Sequence, residues 1–110
     1  CNLSSISRRF EAFGIIEILN SFDLTNQTVL IPEGDAFIEG GDIIVDKEFI
    51  FVGQSNRTNK KGLEFIIRHF SKDYTIIPIQ VNDQPGYSKF LHLDCVFNPV
   101  DRYDVLLYPL

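Results

Sequence analysis

Residues 36–81 read AFIEGGDIIVDKEFIFVGQSNRTNKKGLEFIIRHFSKDYTIIPIQV, and two hydrophobic periods follow one another inside them. Ala36-Phe37-Ile38, Ile43-Ile44-Val45 and Phe49-Ile50-Phe51-Val52 are short β-branched or aromatic runs of the kind that fill a pleated surface. Gly40-Gly41 breaks the first pair and Asp46-Lys47 turns the second, so the last two runs are expected to form a hairpin. Beyond Gly53 the strand period gives way to a helical one. Leu63, Ile66, Ile67 and Phe70 recur on one side, with Lys60, Lys61, Glu64 and Arg68 on the other. That spacing predicts a helix capped by Thr58 or Asn59 and ended by Ser71-Lys72-Asp73. Tyr74 to Val81 returns to strand texture, and Pro78, which has no N–H for a ladder, confines that strand to an edge or a bulge. The order strand, strand, helix, strand predicts an α/β layer.

Working outward, Ile6, Phe10 and Phe13 recur at helical spacing with Arg8, Arg9 and Glu11 between them, and Ser4 and Ser7 are candidate caps. Asn20 to Gly34 is rich in Asn, Asp, Thr, Pro and Gly and reads as a connection with one brief strand at Val29-Leu30. Downstream, Asn82 to Ser88 contains Asp-Gln-Pro-Gly and is expected to be a loop. Phe90 to Phe97 and Val105 to Tyr108 read as strands that open a second round. Residues 1–34 are therefore taken as an N-terminal helix and connecting segment. Residues 35–110 are taken as one module with the first strands of the next, all within a single partial domain.

Composition narrows the class of function. With 110 residues, 45% hydrophobic and 13% aromatic, the chain has apolar material for one core and no more. A net charge of -5 without a Lys/Arg stripe leaves nothing to neutralise a phosphate backbone, which excludes nucleic acid as a partner and suits a small cation better. No apolar run approaches the roughly 20 residues that cross a bilayer, and no basic-then-apolar leader is present, so no membrane partner is expected. Two cysteines, Cys1 and Cys95, make no disulfide framework, which points to a reduced, cytoplasmic setting. Two isolated Cys and two His do not fill a tetrahedral site, so neither a metal nor a cofactor is expected. The chain starts at Cys1, has no Met and stops after an apolar run that wants a partner strand. It is expected to be a piece of a longer polypeptide, with open strand edges that favour homo-oligomers.

Three short constellations carry chemistry. In Leu91-His92-Leu93-Asp94-Cys95-Val96-Phe97 the alternation of a strand puts His92 and Asp94 on one face and Leu91, Leu93, Cys95 and Phe97 on the other. An imidazole beside a carboxylate offers a general acid/base next to a cation-binding group, although a solvent-facing pair on an ordinary half-exposed strand fits the spacing too. On this register Cys95 points away from His92 and is expected to be a small core residue. Glu39-Gly40-Gly41-Asp42 sets carboxylates on either side of a glycine pair, the mark of a close approach or simply of a tight turn. Gln54-Ser55-Asn56-Arg57-Thr58 closes a strand and opens the helix; Arg57 there suits a carboxylate, or is a surface arginine next to a helix cap.

Taken in order, Glu39-Gly40-Gly41-Asp42, then Arg57-Thr58-Asn59 before a helix, then His92-Leu93-Asp94 on a strand resembles the pentein superfamily of arginine deiminases, dimethylarginine dimethylaminohydrolases and amidinotransferases. The resemblance covers roughly residues 35–108. It implies an α/β fold of ββαβ modules, five of which circle a central site in that family, and a covalent chemistry on guanidines such as arginine. Carried over by match, His92 would be the general acid/base and Glu39 would hydrogen-bond and orient it. Asp94 would hold the substrate guanidinium, Arg57 would face a substrate carboxylate, and Asp42 with Gly40 and Gly41 would be structural. The family's cysteine nucleophile and a further guanidinium-binding aspartate have no match in these residues, so this piece alone is expected to be inactive and to need the rest of its polypeptide or a second chain. The resemblance implies a hydrolase such as an arginine deiminase or dimethylargininase. An amidinotransferase, or a catalytically silent module of the same fold, are the alternatives.

Overall fold

The computed structural model describes residues 3–22, 29–81 and 90–108. Its centre is a three-stranded sheet in the order β1-β2-β3, with β1 at Ile43–Asp46, β2 at Phe49–Gln54 and β3 at Thr75–Gln80. β1 and β2 form the expected hairpin, with Asp46 opposite Phe49 and Lys47 taking the positive φ of 52° that the tight turn requires. β3 runs parallel to β2, and the crossover between them is α2, Lys60–Phe70. The ββαβ order is thus present in full. Pro78 lies on β3, at the sheet's edge, opposite Val52.

The helix forms where the periodicity put it, and Asn59 rather than Thr58 is its cap, its side-chain oxygen accepting from Gly62 N at 2.9 Å. Leu63 and Ile66 on its inner side pack with Ile38, Ile50 and Val52 into the core, and Phe65, Phe70, Ile43, Tyr74 and Ile76 close around them. Burial of each such aliphatic side chain contributes about 2 kcal/mol. Gly62 permits this packing: a Cβ there would run into the carbonyl oxygen of Phe37.

Four expectations are corrected. Ala36-Phe37-Ile38, buried at Ala36 and Ile38, is not a strand, because its polar backbone atoms are engaged by the segment that starts α2. Phe37 N donates to Asn59 Oδ1 at 3.1 Å, and Asn59 N donates to the Phe37 carbonyl at 3.2 Å. Val29-Leu30 is irregular and exposed. The N-terminal helix, α1, spans Arg9–Ser21 and is preceded by a 3-10 turn at Ile6–Arg8; neither Ser4 nor Ser7 caps it. Their hydroxyls are engaged elsewhere, Ser7 with Ser5 and Ser4 with Glu39.

The fourth correction bears on the site. Phe90 to Phe97 is not a strand: Leu93–Cys95 is a 3-10 turn, and only Phe97–Pro99 is extended, as β4, paired antiparallel with β5 at Val105–Leu107. Local bonds hold the turn, with Cys95 N donating to the His92 carbonyl at 3.2 Å and Val96 N to that of Leu93 at 3.0 Å. The Leu93 amide, which a ladder would have needed, goes instead to Asp42 Oδ1 at 3.0 Å. Cys95 is accordingly exposed and not in the core, since a turn of three residues does not keep the two-residue alternation of a strand. The expected loop at 82–88 lies outside the described residues. Among the described residues no helix is long and apolar enough to cross a membrane.

Candidate active site

The two faces of β2 have different tasks. Ile50 and Val52 point to α2, while on the opposite face the Phe51 ring packs at a tilt on Phe97, centroids 4.9 Å apart, and Gly53 leaves room for what lies above it. A Cβ at Gly53 would stand 2.8 Å from Asp42 Oδ1 and 2.9 Å from Leu93 Cβ. Two distant pieces of sequence therefore meet over the C-terminal end of β2, one carrying Glu39-Gly40-Gly41-Asp42 and the other His92-Leu93-Asp94.

Asp42 is the link between them. It is fully buried, and its carboxylate accepts from Leu93 N and from Ser55 Oγ at 3.1 Å. Ser55 Oγ in turn accepts from Arg57 N at 3.0 Å and Thr58 N at 3.1 Å, which curls the chain at the end of β2 and brings Arg57 round to the same side. Gly41 supplies the space, since a Cβ there would lie 2.7 Å from His92 Cγ and 2.9 Å from Nδ1. The imidazole lies against bare backbone.

Glu39 stands at the centre, 3% exposed. Thr58 Oγ1, itself fully buried, accepts from Glu39 N at 3.0 Å and fixes the main chain. Glu39 Oε2 is 2.9 Å from His92 Nε2 and 3.3 Å from an Arg57 nitrogen, and Arg8 approaches it at 4.0 Å. Oε1 accepts from Ser4 Oγ at 2.8 Å and from Ser4 N at 3.4 Å. Burial alone would push this carboxyl up. The hydrogen bonds from His92, Ser4 and Arg57, with the charge of Arg57, outweigh it and hold the group below its ordinary value of 4.5. At neutral pH Glu39 is therefore ionised and can only accept, so His92 Nε2–H is the donor in the 2.9 Å contact.

Of the expected site residues, Glu39, Arg57, His92, Gly41 and Asp42 are thus gathered in one place. Gly40 has open space around its Cα. Asp94 is exposed, with its carboxylate 3.6 Å from Cys95 Sγ. Sequence reasoning did not place Ser4, Arg8 or Ser55 in the site. A serine whose hydroxyl serves the amides two and three residues on is a turn signal that would have revealed Ser55. Nothing in the local sequence signals the reach of Ser4 across 35 residues.

The arginine deiminase family model matches residues 21–110. The chain belongs to the arginine deiminase family. Its ββαβ unit agrees with the fold of the solved structures on which it superposes. Over 98 residues, 86% of this chain, it is 36% identical to an arginine deiminase of Bacillus cereus (strain ATCC 10987 / NRS 248). Over 74 residues, 67% of the chain, it is 39% identical to the uncharacterized protein YkgA of Bacillus subtilis (strain 168). The chain spans 24% of the length of each of these relatives. It also superposes on a cysteine-to-serine variant of dimethylarginine dimethylaminohydrolase from Pseudomonas aeruginosa in complex with citrulline. The TM-score is 0.78 at 24% identity, covering 96% of this chain and 39% of that one. An amidinotransferase of the saxitoxin pathway from Microseira wollei matches with a TM-score of 0.72 at 20% identity, over 96% of this chain and 36% of that one. At these identities the superpositions establish the fold that the family shares.

Proposed function

We propose that this chain is part of a hydrolase that cleaves a C–N bond of arginine or a related guanidine, with the attacking cysteine supplied by residues outside it. The observation that carries this reading is the buried, ionised Glu39 bonded to His92 beside Arg57 in a chain of the arginine deiminase family. A guanidinium is cationic and resonance-stabilised. Attack at its central carbon needs a strong nucleophile, carboxylates that fix its plane and an acid for the departing amine.

In the reaction so read, a thiolate adds to the central carbon, His92 transfers a proton to the leaving nitrogen, and the C–N bond breaks to leave a thiouronium. Water, deprotonated by His92, then adds to that carbon and the C–S bond breaks. Glu39 orients the imidazole throughout and balances the positive charge it gains. Asp94, exposed next to His92, is in this account the group that accepts from the guanidinium N–H edge, and Arg57 the one that meets a substrate carboxylate. The enzyme would act in the cytoplasm. The exposed strand β5 would be covered by the remainder of the polypeptide or by a second chain, and residues 1–110 on their own would not turn over.

The full-length polypeptide, supplied with arginine, is expected to release citrulline and ammonia. Transfer of the amidino group to glycine in place of hydrolysis would make it an amidinotransferase, and absence of both with any guanidine would leave a silent module of the same fold.

A further inference from the structure

The two oxygens of Glu39 have separate partners. Oε2 faces His92 and Arg57, and Oε1 faces Ser4, whose hydroxyl and amide both donate to it at 2.8 and 3.4 Å. The terminal torsion of a glutamate is broad and roughly two-fold, so a carboxylate is not held in one plane by its own chain. Bonds to one oxygen only would leave it free to swing. A second anchor is needed to keep Oε2 in line with the imidazole.

We propose that Ser4 is a positioning residue for the Glu39–His92 pair, an assignment that rests on the acid–base reading above. Ser4 comes from the segment ahead of the first 3-10 turn, 35 residues away from Glu39, and is only half-buried outside the hydrophobic core. Its contribution to packing is accordingly small. Its contribution to the carboxylate is direct, because it saturates the oxygen that His92 does not use.

The charged groups that face Glu39 are Arg8 from the N-terminal turn, which is also tied to Glu11, Arg57 from the bend after β2, and His92. Asp42, in the turn that follows Glu39, is engaged with Leu93 and Ser55. Taking away the Ser4 hydroxyl leaves burial opposed by fewer bonds, so Glu39 would hold its proton to a higher pH and lose its fixed plane.

The test compares Ser4→Ala with Ser4→Thr in the full-length protein, following the Glu39 carboxyl by carbon-13 NMR and the pH dependence of kcat. Ser4→Ala is expected to move both the Glu39 titration and the acid limb of kcat upward by about half a unit or more, with KM unchanged, and Ser4→Thr to restore them. A serine that merely packs would alter the melting temperature and leave both titrations in place, and that result would overturn the proposal. Glu39→Gln run alongside separates the two layers of argument. Full turnover in Glu39→Gln would remove the acid–base reading itself, whereas an inactive Glu39→Gln with an unmoved acid limb in Ser4→Ala would remove only the role of Ser4.

Discussion

Glu39 Oε2 and His92 Nε2 lie 2.9 Å apart although the two residues are separated by 53 positions in the chain. A contact of that span between a buried carboxylate and a ring nitrogen ties the Gly-Gly turn to the segment that leads into β4. It also couples the stability of the fold to the charge on Glu39.

The carboxyl of Glu39 is held below 4.5 in the folded chain, with burial opposing the shift and the bonds from His92, Ser4 and Arg57 producing it. Unfolding returns it towards the ordinary value, so its stabilising effect is complete above pH 4.5 and fades as pH falls through the lower folded-state value. Thermal melts are expected to lose temperature more steeply below pH 4.5 in the natural protein than in Glu39→Gln, which cannot titrate there. Parallel slopes would remove Glu39 from the acid response.

Gly41→Ala would set a methyl group 2.7 to 2.9 Å from the His92 ring, closer than carbon atoms approach without displacement. The imidazole must then leave Glu39, and turnover of the full-length protein is expected to fall by about tenfold or more. Gly40→Ala meets open space and serves as the control. Steady-state kinetics of the two variants would discriminate. Equal losses in both would mean that the turn, and not the room beside the ring, is what matters.

Asp42→Ala would strip the buried Leu93 amide of its acceptor and free Ser55 Oγ. An unsatisfied buried N–H costs about 1–3 kcal/mol, which a urea midpoint would register. Asp42→Asn keeps an acceptor oxygen for Leu93 and should recover most of that loss. A midpoint for Asp42→Ala no lower than that of the natural protein would show that the link between the two motifs is dispensable.

The framework was legible because composition and periodicity report it: the β-branched and aromatic runs of the hairpin over residues 43–52 and of β3, and the α2 stripe of Leu63, Ile66 and Phe70. The motif residues Glu39, Arg57 and His92 were legible by their order and resemblance. The geometry between them was not. His92-Leu93-Asp94 has the alternation of a strand but folds as a turn, because the carboxylate of Asp42, 51 residues away, takes the Leu93 amide out of any ladder. The same event exposes Cys95. Ala36-Phe37-Ile38 has strand composition, yet Asn59 claims its backbone. In both of these places a distant side chain captures a main-chain group, which no window of local sequence contains.

The claim on which the account turns is that Glu39 works through His92 on the leaving amine. Its most direct test is the turnover number of Glu39→Gln in the full-length enzyme with arginine as substrate. The expected result is a fall of on the order of 10² to 10⁴ in kcat with little change in KM, since the carboxamide keeps the shape but not the charge that steadies the imidazole. A kcat within about twofold of the natural enzyme would contradict it.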